Sequence, residues 1–395
     1  MFRDLVVEDI KDRDGLEKKE FLTKEEIKRG LDIVIKNIDE NLEKYTNKFP
    51  SACTTNLKYR VKDNDDWTNG FWTGMLWLAY EYTGDDKYKK VAQIHTENFE
   101  ERYNNDFVLN HHDLGFLYSL SAVADYRITG SEKARELGLK AANKLKGRYQ
   151  EKGKFIQAWG NLGDESEYRL IIDCFLNLPL LYWAYEETEE QSYLNVANNH
   201  FNTAINNVIR KDSSTYHTYY FDKETGEPTK GVTHQGFKND SCWARGQAWA
   251  ILGMPLNYRY NKNENSKEVF EAVTNYYLNR LPEDLIPYWD LIFTEKDGES
   301  RDSSSAVITA CGIFERNKFD EDYNNKDIYN KAAHEMLRNL INNYTTVNED
   351  SDGILMHGVY SWQHNKGIDE CNLWGDYFFM EALMRLYKED RKSVV

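Results

Sequence analysis

Proline is scarce in this chain, six among 395 residues, and the six do not gather into a linker. Cysteine is nearly as rare. Cys53, Cys174, Cys242, Cys311 and Cys371 are scattered, odd in number and form no CxxC pair, which argues against a disulfide framework and a zinc ribbon. No apolar run is long enough to cross a bilayer, so no membrane role is expected. The opening MFRDLVVEDIKDRDGLEKK has no apolar h-region, no signal peptide is expected, and a cytoplasmic location follows as the default. Basic residues are the minority, 50 against 66 acidic for a net charge of −16, and no Lys/Arg cluster stands free of acids. No nucleic-acid partner is therefore expected, whereas an anionic small molecule needs only a few cations placed locally. GxGxxG, P-loop, GxSxG and HExxH motifs are all missing.

What the chain has in quantity is aromatic surface: 27 Tyr, 18 Phe and 10 Trp, 14% of all residues within a 41% hydrophobic total. That is too apolar for a disordered chain, and it suits either an aromatic core or stacking against sugar rings. The length fits one large toroid or two ordinary domains.

Residues 20–46 read as one polar amphipathic helix, an outer helix or a lid, preceded by an N-terminal arm over 1–25. From about residue 69 a pattern recurs: a polar residue, an apolar-rich helix, a turn, then a more charged helix. The clearest copies start at Asn69 (NGFWTGMLWLAYEYTGDD), Asp113 (DLGFLYSLSAVADYRITGSE) and Asp173 (DCFLNLPLLYWAYEETEE); weaker ones start at Arg245, Asp302 and Asp376. Thr83, Thr129 and Thr188 close the three clear first helices, and Gly84 and Gly130 mark the break where a helix stops. Counting i+3, i+4, i+7 and i+11 from Asp113 gives Phe116, Leu117, Leu120 and Ala124; from Asp173 it gives Leu176, Asn177, Leu180 and Ala184. Each set is one helical stripe, so the leading polar residue stands at the helix start on the inward side. The second helices, Asp85–Arg102, Ser131–Leu145 and Gln191–Val208, carry the charge of an outer layer. Six such pairs, with onsets 44 to 74 residues apart, predict an all-α fold, a single (α/α)6 barrel of six inner and six outer helices forming one catalytic domain over 1–395. The six inner starts would then surround one cavity, with Thr215–Asp222 and Gly353–Trp362 as extended pieces over it.

Asp113 and Asp173 each interrupt an apolar run at matching places in adjacent copies. Aspartate at a helix start is also a favoured N-cap. Two carboxylates in apolar surroundings near one another, however, have their pKa values pushed apart, the arrangement acid–base chemistry needs. His111 and His112 lack metal-ligand spacing, so no metal and no cofactor are expected; His112 suits a hydrogen bond to substrate or carboxylate. The segment THQGFKNDSCWARGQAW brings Gln235, Trp243, Arg245 and Trp249 to one inner helix start, where an arginine can grip a carboxylate through two parallel hydrogen bonds or make a structural salt bridge to Asp113 or Asp173. YWD (Tyr288–Asp290), RDSSSA (Arg301–Ala306) and LWGDYFF (Leu373–Phe379) are expected to complete the cavity rim.

HDLGF, IID inside an apolar helix, HQG…WARGQAW, YWD, RDSS and WGDYFF, in that order over about residues 60–385, resemble the unsaturated glucuronyl hydrolase family. The resemblance implies an (α/α)6 barrel acting on oligosaccharides left by polysaccharide lyases, whose non-reducing uronic acid has a C4=C5 double bond. It implies that Asp173 protonates C4 and draws a proton from the water that adds at C5, that the hemiketal then opens, and that Asp113 holds ring hydroxyls and tunes Asp173. Substrate contacts implied in the same way are Trp67, His112, Trp159, His217, Gln235, Arg245 and Trp249, to which Phe116 on the inward stripe and Trp243 beside Arg245 are added. Ser361 and Lys366, in YSWQHNKGIDE, match a sulfate-recognising loop of some members, with His364 where a second hydroxyl residue stands in some relatives. Expected partners are unsaturated glycosaminoglycan disaccharides, sulfated or not, and the protein is expected to be a monomer or weak homodimer. Three alternatives stand beside this reading: an unsaturated rhamnogalacturonyl hydrolase, an inverting glycosidase on saturated sugars, and a non-catalytic helical-repeat binding protein.

Overall fold

The computed structural model describes residues 4–388. Six inner helices alternate with six outer ones along the chain. The inner set is α2 (Asn69–Thr83), α4 (Leu114–Tyr118, a π-helical turn at Ser119–Val123, then Ala124–Thr129), α6 (Cys174–Asn177 and Pro179–Thr188), α8 (Ala244–Asn261), α10 (Ser303–Arg316) and α12 (Leu373–Tyr387). The outer set is α1 (Lys24–Asn41), α3 (Asp86–Asn104), α5 (Glu132–Lys146), α7 (Gln191–Val208), α9 (Asn265–Leu278) and α11 (Lys326–Asn339). Each inner helix packs on the next, and α12 packs on both α2 and α1, so the ring closes into an (α/α)6 barrel.

Local sequence explains the repeat. The hydroxyls of Thr83, Thr129 and Thr188 donate to the carbonyls of Ala79, Asp125 and Ala184 one turn back, then accept from the backbone N–H of Asp85, Ser131 and Glu190. One side chain thus ends each inner helix and holds the start of the outer one. The residue after each threonine is left-handed; Gly84 (φ 73) and Gly130 (φ 76) meet that at little cost, and Glu189 (φ 57) takes the strained position where no glycine is present. The helix expected at 20–46 is α1, an outer helix. Thr23 and Glu26 form a reciprocal capping box, and Ile27, Gly30, Leu31, Val34 and Ile38 are buried against the ring.

Residues 1–3 of the expected arm lie outside the described residues. Further on, the segment runs across the outer layer: Val6 bonds to Lys211 and Ser213, and Glu8 forms an ion pair with Arg280 (2.8 Å).

Three details depart from expectation. Arg169–Ile171, read as part of an apolar helix, is a strand paired antiparallel with Thr218–Phe221, which in turn pairs with Pro228–Val232. A short apolar run does not distinguish strand from helix, and here the partner strand decides. The extended pieces expected at Thr215–Asp222 and Gly353–Trp362 are present as the shorter strands Thr218–Phe221 and Gly358–Ser361, the latter in a hairpin with Lys366–Glu370. Finally, α12 begins at Leu373, so Asp376 lies within its first turn rather than at its start.

Candidate active site

The starts of α4, α6 and α8, the strand Arg169–Ile171 and the hairpin at 358–370 converge at one end of the barrel. They enclose a cavity of about 470 Å³ lined by Trp67, Asp113, Trp159, Asp173, His217, Gln235, Trp243, Arg245, Trp249, Ser361 and Lys366, with Arg169, His234, Tyr360 and His364 beside them.

Asp113 and Asp173 stand at the entrances to α4 and α6, and neither carboxylate caps its helix. Their environment is set by His111 and His112. The 111–112 segment is pinned by a backbone bond from His112 to Ala158 (2.7 Å) and by stacking of His111 on Trp159 (4.8 Å, 19°). His112 Nε2 lies 3.1 Å from Asp173 and 3.4 Å from Asp113, and His111 Nδ1 lies 3.4 Å from the other Asp113 oxygen. Asn177 donates weakly to Asp113 (3.4 Å) while its carbonyl accepts from the backbone N–H of Phe116 (3.0 Å). Burial raises both carboxyls. At Asp173, 18% exposed and facing the cavity, burial and the neighbouring Asp113 outweigh His112, and the pKa is raised. At Asp113, almost fully buried, the charge of His112 and the bonds from His111 and Asn177 overcome burial, and the pKa is lowered. His112 loses charge stability through burial and regains more from the two carboxylates, so its pKa is raised. The two carboxyls are thus shifted in opposite directions, Asp173 upward and Asp113 downward.

His112, Asp113 and Asp173 each also offer a metal-type ligand atom, all within 4.8 Å of one another. At 3.1 and 3.4 Å, His112 Nε2 bridges the two carboxyl groups.

His217 is buried, and burial, followed by the nearby cations, holds its pKa well below the usual histidine range. Its Nδ1 accepts from the backbone N–H of His234 (2.9 Å), so the neutral ring carries its proton on Nε2 as a donor.

Arg245 sits between the rings of Trp243 (4.5 Å) and Trp374 (4.8 Å). Its salt bridge is to Asp302 (2.6 Å), rather than to Asp113 or Asp173. The terminal nitrogens also bond to the carbonyls of Val359 and Tyr360 and to Gln235 Oε1 (2.8 Å). With Gln235's carbonyl occupied by arginine, its amide nitrogen is left to donate into the cavity.

Several expected rim residues lie behind the walls. Phe116 is under the floor, packed among Trp67, Phe71 and Trp249. Asp290 of YWD accepts from the backbone of Phe237 (2.9 Å) and from Ser241 (2.7 Å), fixing that loop. Asp302 of RDSS holds Arg245. Asp376 of WGDYFF accepts from the backbone of Ile354 and Leu355 and from the Tyr59 hydroxyl (2.8 Å). Asn69 is buried in the first turn of α2. The six helix starts therefore do not all face the cavity, because carboxylates with local donors are held behind its wall.

Among residues not singled out from sequence, Asn177 had a signal: it is the polar member of its own inward stripe. Tyr360, which accepts from the Trp67 indole (2.9 Å), and Arg169, paired with Glu167 (2.8 Å), had none.

Residues 41–354 match the family described as Glycosyl Hydrolase Family 88. The chain is 51% identical over 98% of its length to an unsaturated chondroitin disaccharide hydrolase of Streptococcus pneumoniae, covering 99% of that protein. It is 42% identical over 88% of its length to an unsaturated glucuronyl hydrolase of Bacillus sp. (strain GL1), covering 93% of that protein. Among solved structures, the unsaturated glucuronyl hydrolase of Streptococcus agalactiae superposes with a TM-score of 0.97 at 49% identity, over the whole of both chains. An aspartate-to-asparagine mutant of that enzyme, complexed with dGlcA-GalNAc6S, matches with a TM-score of 0.90 at 46% identity, again over both whole chains. No described helix is long and apolar enough to cross a membrane.

Proposed function

Because the chain belongs to glycosyl hydrolase family 88, we propose that it removes the 4,5-unsaturated uronic acid from the non-reducing end of lyase-generated glycosaminoglycan disaccharides, chondroitin-type foremost. The observation that carries this is the buried carboxylate pair with opposed pKa shifts, open to a tryptophan-walled cavity on the Asp173 side.

Protonated Asp173 delivers its proton to C4 of the enol ether, leaving positive charge at C5 shared with the ring oxygen. Water adds its oxygen at C5 and returns a proton to the Asp173 carboxylate. The hemiketal then opens, and the next sugar is released. No bond to the anomeric carbon is attacked. Asp113, ionised, accepts from ring hydroxyls, the His217 Nε2–H and the Gln235 amide donate to the uronate, and the Trp67, Trp159 and Trp249 surfaces flank the ring. Arg245 organises Gln235 and lends part of its charge, the rest being neutralised by Asp302.

An inverting glycosidase would need its carboxyl groups about 6.5–9.5 Å apart to admit water between them. Here an oxygen of each lies within 4.8 Å of the other, too close for that inverting arrangement. At the rim, the Ser361 hydroxyl lies 2.7 Å from His364 Nδ1, and exposed Lys366 lies over the Tyr360 ring (4.0 Å) with no ion-pair partner among the described residues. That cluster supports a sulfated amino sugar after the uronate, with unsulfated hyaluronan fragments as weaker substrates. Five free, buried cysteines support a reducing compartment, the cytoplasm.

The test follows the ultraviolet absorbance of the conjugated double bond on unsaturated chondroitin and hyaluronan disaccharides, sulfated and unsulfated. Expected are loss of absorbance, release of the amino sugar and a rate ranking led by a sulfated chondroitin unit. Asp173→Asn should retain binding and lose on the order of 10³-fold or more in kcat. Turnover confined to a pectin-derived unsaturated disaccharide would assign the chain to the rhamnogalacturonyl activity instead. Silence on every unsaturated sugar would remove the role given to Asp173.

A further inference from the structure

Next to the cavity mouth, outside its lining, the protein exposes aromatic surface that the reaction above does not use. Phe237 is 40% exposed, Trp362 38% and Ile292 45%. Each aromatic adjoins a lining residue in sequence: Trp362 follows Ser361, and Phe237 comes two after Gln235. Trp362 lies with one face on buried Trp289 (5.0 Å between centroids, 12° between planes), whose indole N–H is fixed by Glu299 (2.8 Å). Phe237 meets Trp362 edge-on at 6.4 Å and packs on Phe293 at 5.0 Å. The Gln363 amide donates to the Gly236 carbonyl (2.5 Å), fastening the 361–366 hairpin tip to the 233–241 loop. The two rings are thus backed from below and tied together across two loops, so little ordering entropy is left to lose when something lies on them.

We propose that Phe237 and Trp362 form a further sugar subsite, receiving the pyranose ring that follows the disaccharide in a longer unsaturated chain. The proposal rests on the function proposed above, and three observations carry it. The patch adjoins the cavity rim, Trp362 following the lining residue Ser361 and its loop tied to Gly236 beside the lining residue Gln235, at the side where the function proposed above puts the second sugar. Planar indole and phenyl surfaces pack against the C–H faces of a pyranose. An exposed tryptophan held by stacking and a loop clasp is organised before any ligand arrives, whereas a core tryptophan would be covered.

The experiment compares kcat/KM on an unsaturated chondroitin disaccharide and tetrasaccharide for the wild-type protein, Phe237→Ala, Trp362→Ala and Trp362→Tyr. Disaccharide turnover should stay within about twofold, while the alanine variants should lose about three- to tenfold on the tetrasaccharide through KM, the worth of one aromatic face. Trp362→Tyr should recover most of it. Calorimetric titration of the tetrasaccharide into Asp173→Asn, with and without Trp362→Ala, reads the same loss without turnover. Equal losses on both lengths, or none on either, would overturn the subsite. So would wild-type dimerisation that Trp362→Ala abolishes while chain-length preference stays unchanged, since the patch would then be a subunit contact. Wild-type silence on the disaccharide would count against the proposed function, and the titration would still judge the platform.

Discussion

Asp113 and Asp173 occupy equivalent places in neighbouring repeats, and at the scale of single residues a histidine makes them different. His112 touches both, but Asp113 gains in addition His111 and Asn177, while Asp173 gains mainly burial. The acid limb of kcat/KM should therefore follow protonation of Asp113, and the alkaline limb loss of the Asp173 proton. Replacing His112 by glutamine removes a positive charge beside both carboxylates. Each carboxyl then holds its proton more tightly, so both limbs should move to higher pH, by about one unit. A kcat/KM profile of His112→Gln against wild type checks this; unmoved limbs would mean that His112 is uncharged in the working enzyme. The carboxylate pair was legible in the sequence because an acid inside an apolar run is conspicuous. The salt bridge of Arg245 was not, because Asp302 is 57 residues away and only the fold brings the two together.

At the scale of elements, the pair depends on how closely α4 and α6 approach. A Cβ on Gly115 would come within 2.4 Å of the Asn177 Cα and 2.6 Å of its side-chain oxygen. The glycine of HDLGF is there to admit Asn177, which reaches the Phe116 N–H and Asp113. Gly115→Ala should wedge the helices apart at their starts, costing about 1–3 kcal/mol of stability. It should also lower kcat on the order of 10²-fold by displacing one carboxylate from the other. Thermal midpoint and kcat measured together separate the two effects; unchanged kcat with lowered stability would show that the helix approach does not set the pair's geometry. Helices were the readable elements, since each carries its own stripe, cap and stop. The strand at Arg169–Ile171 was not, because its partner Thr218–Phe221 lies on the far side of α7.

For the whole molecule, the question is what keeps six inner helices in one ring. Away from the cavity, Arg385 of α12 bonds to Glu381 (2.5 Å) and to Glu315 of α10, and Glu315 also pairs with Arg259 of α8. These groups are buried, except for the half-buried Arg259, so three consecutive inner helices are joined by charges removed from water. Burial alone would raise the Glu315 pKa; Arg385 and Arg259 hold it below the usual range instead. Its contribution to stability is present above the unfolded glutamate pKa and is lost as pH falls through the lower folded value. Asp376, at the other end of α12, has the opposite sign. Burial pushes its pKa up to about 7, so its contribution is present below the unfolded value and is lost as pH rises through about 7. Arg385→Met leaves Glu315 and Glu381 buried with less compensation, and should destabilise the protein by about 3–5 kcal/mol near neutral pH. As Glu315 then protonates more readily, the deficit should shrink as pH falls toward about 5. Thermal midpoints of wild type and Arg385→Met across that range check this. A deficit that grows on acidification would mean that the closed end is held by packing, with the arginine contributing little charge compensation. The KM of the folded variant should match wild type, because this cluster lies at the far end of the helices from the Asp113–Asp173 cavity.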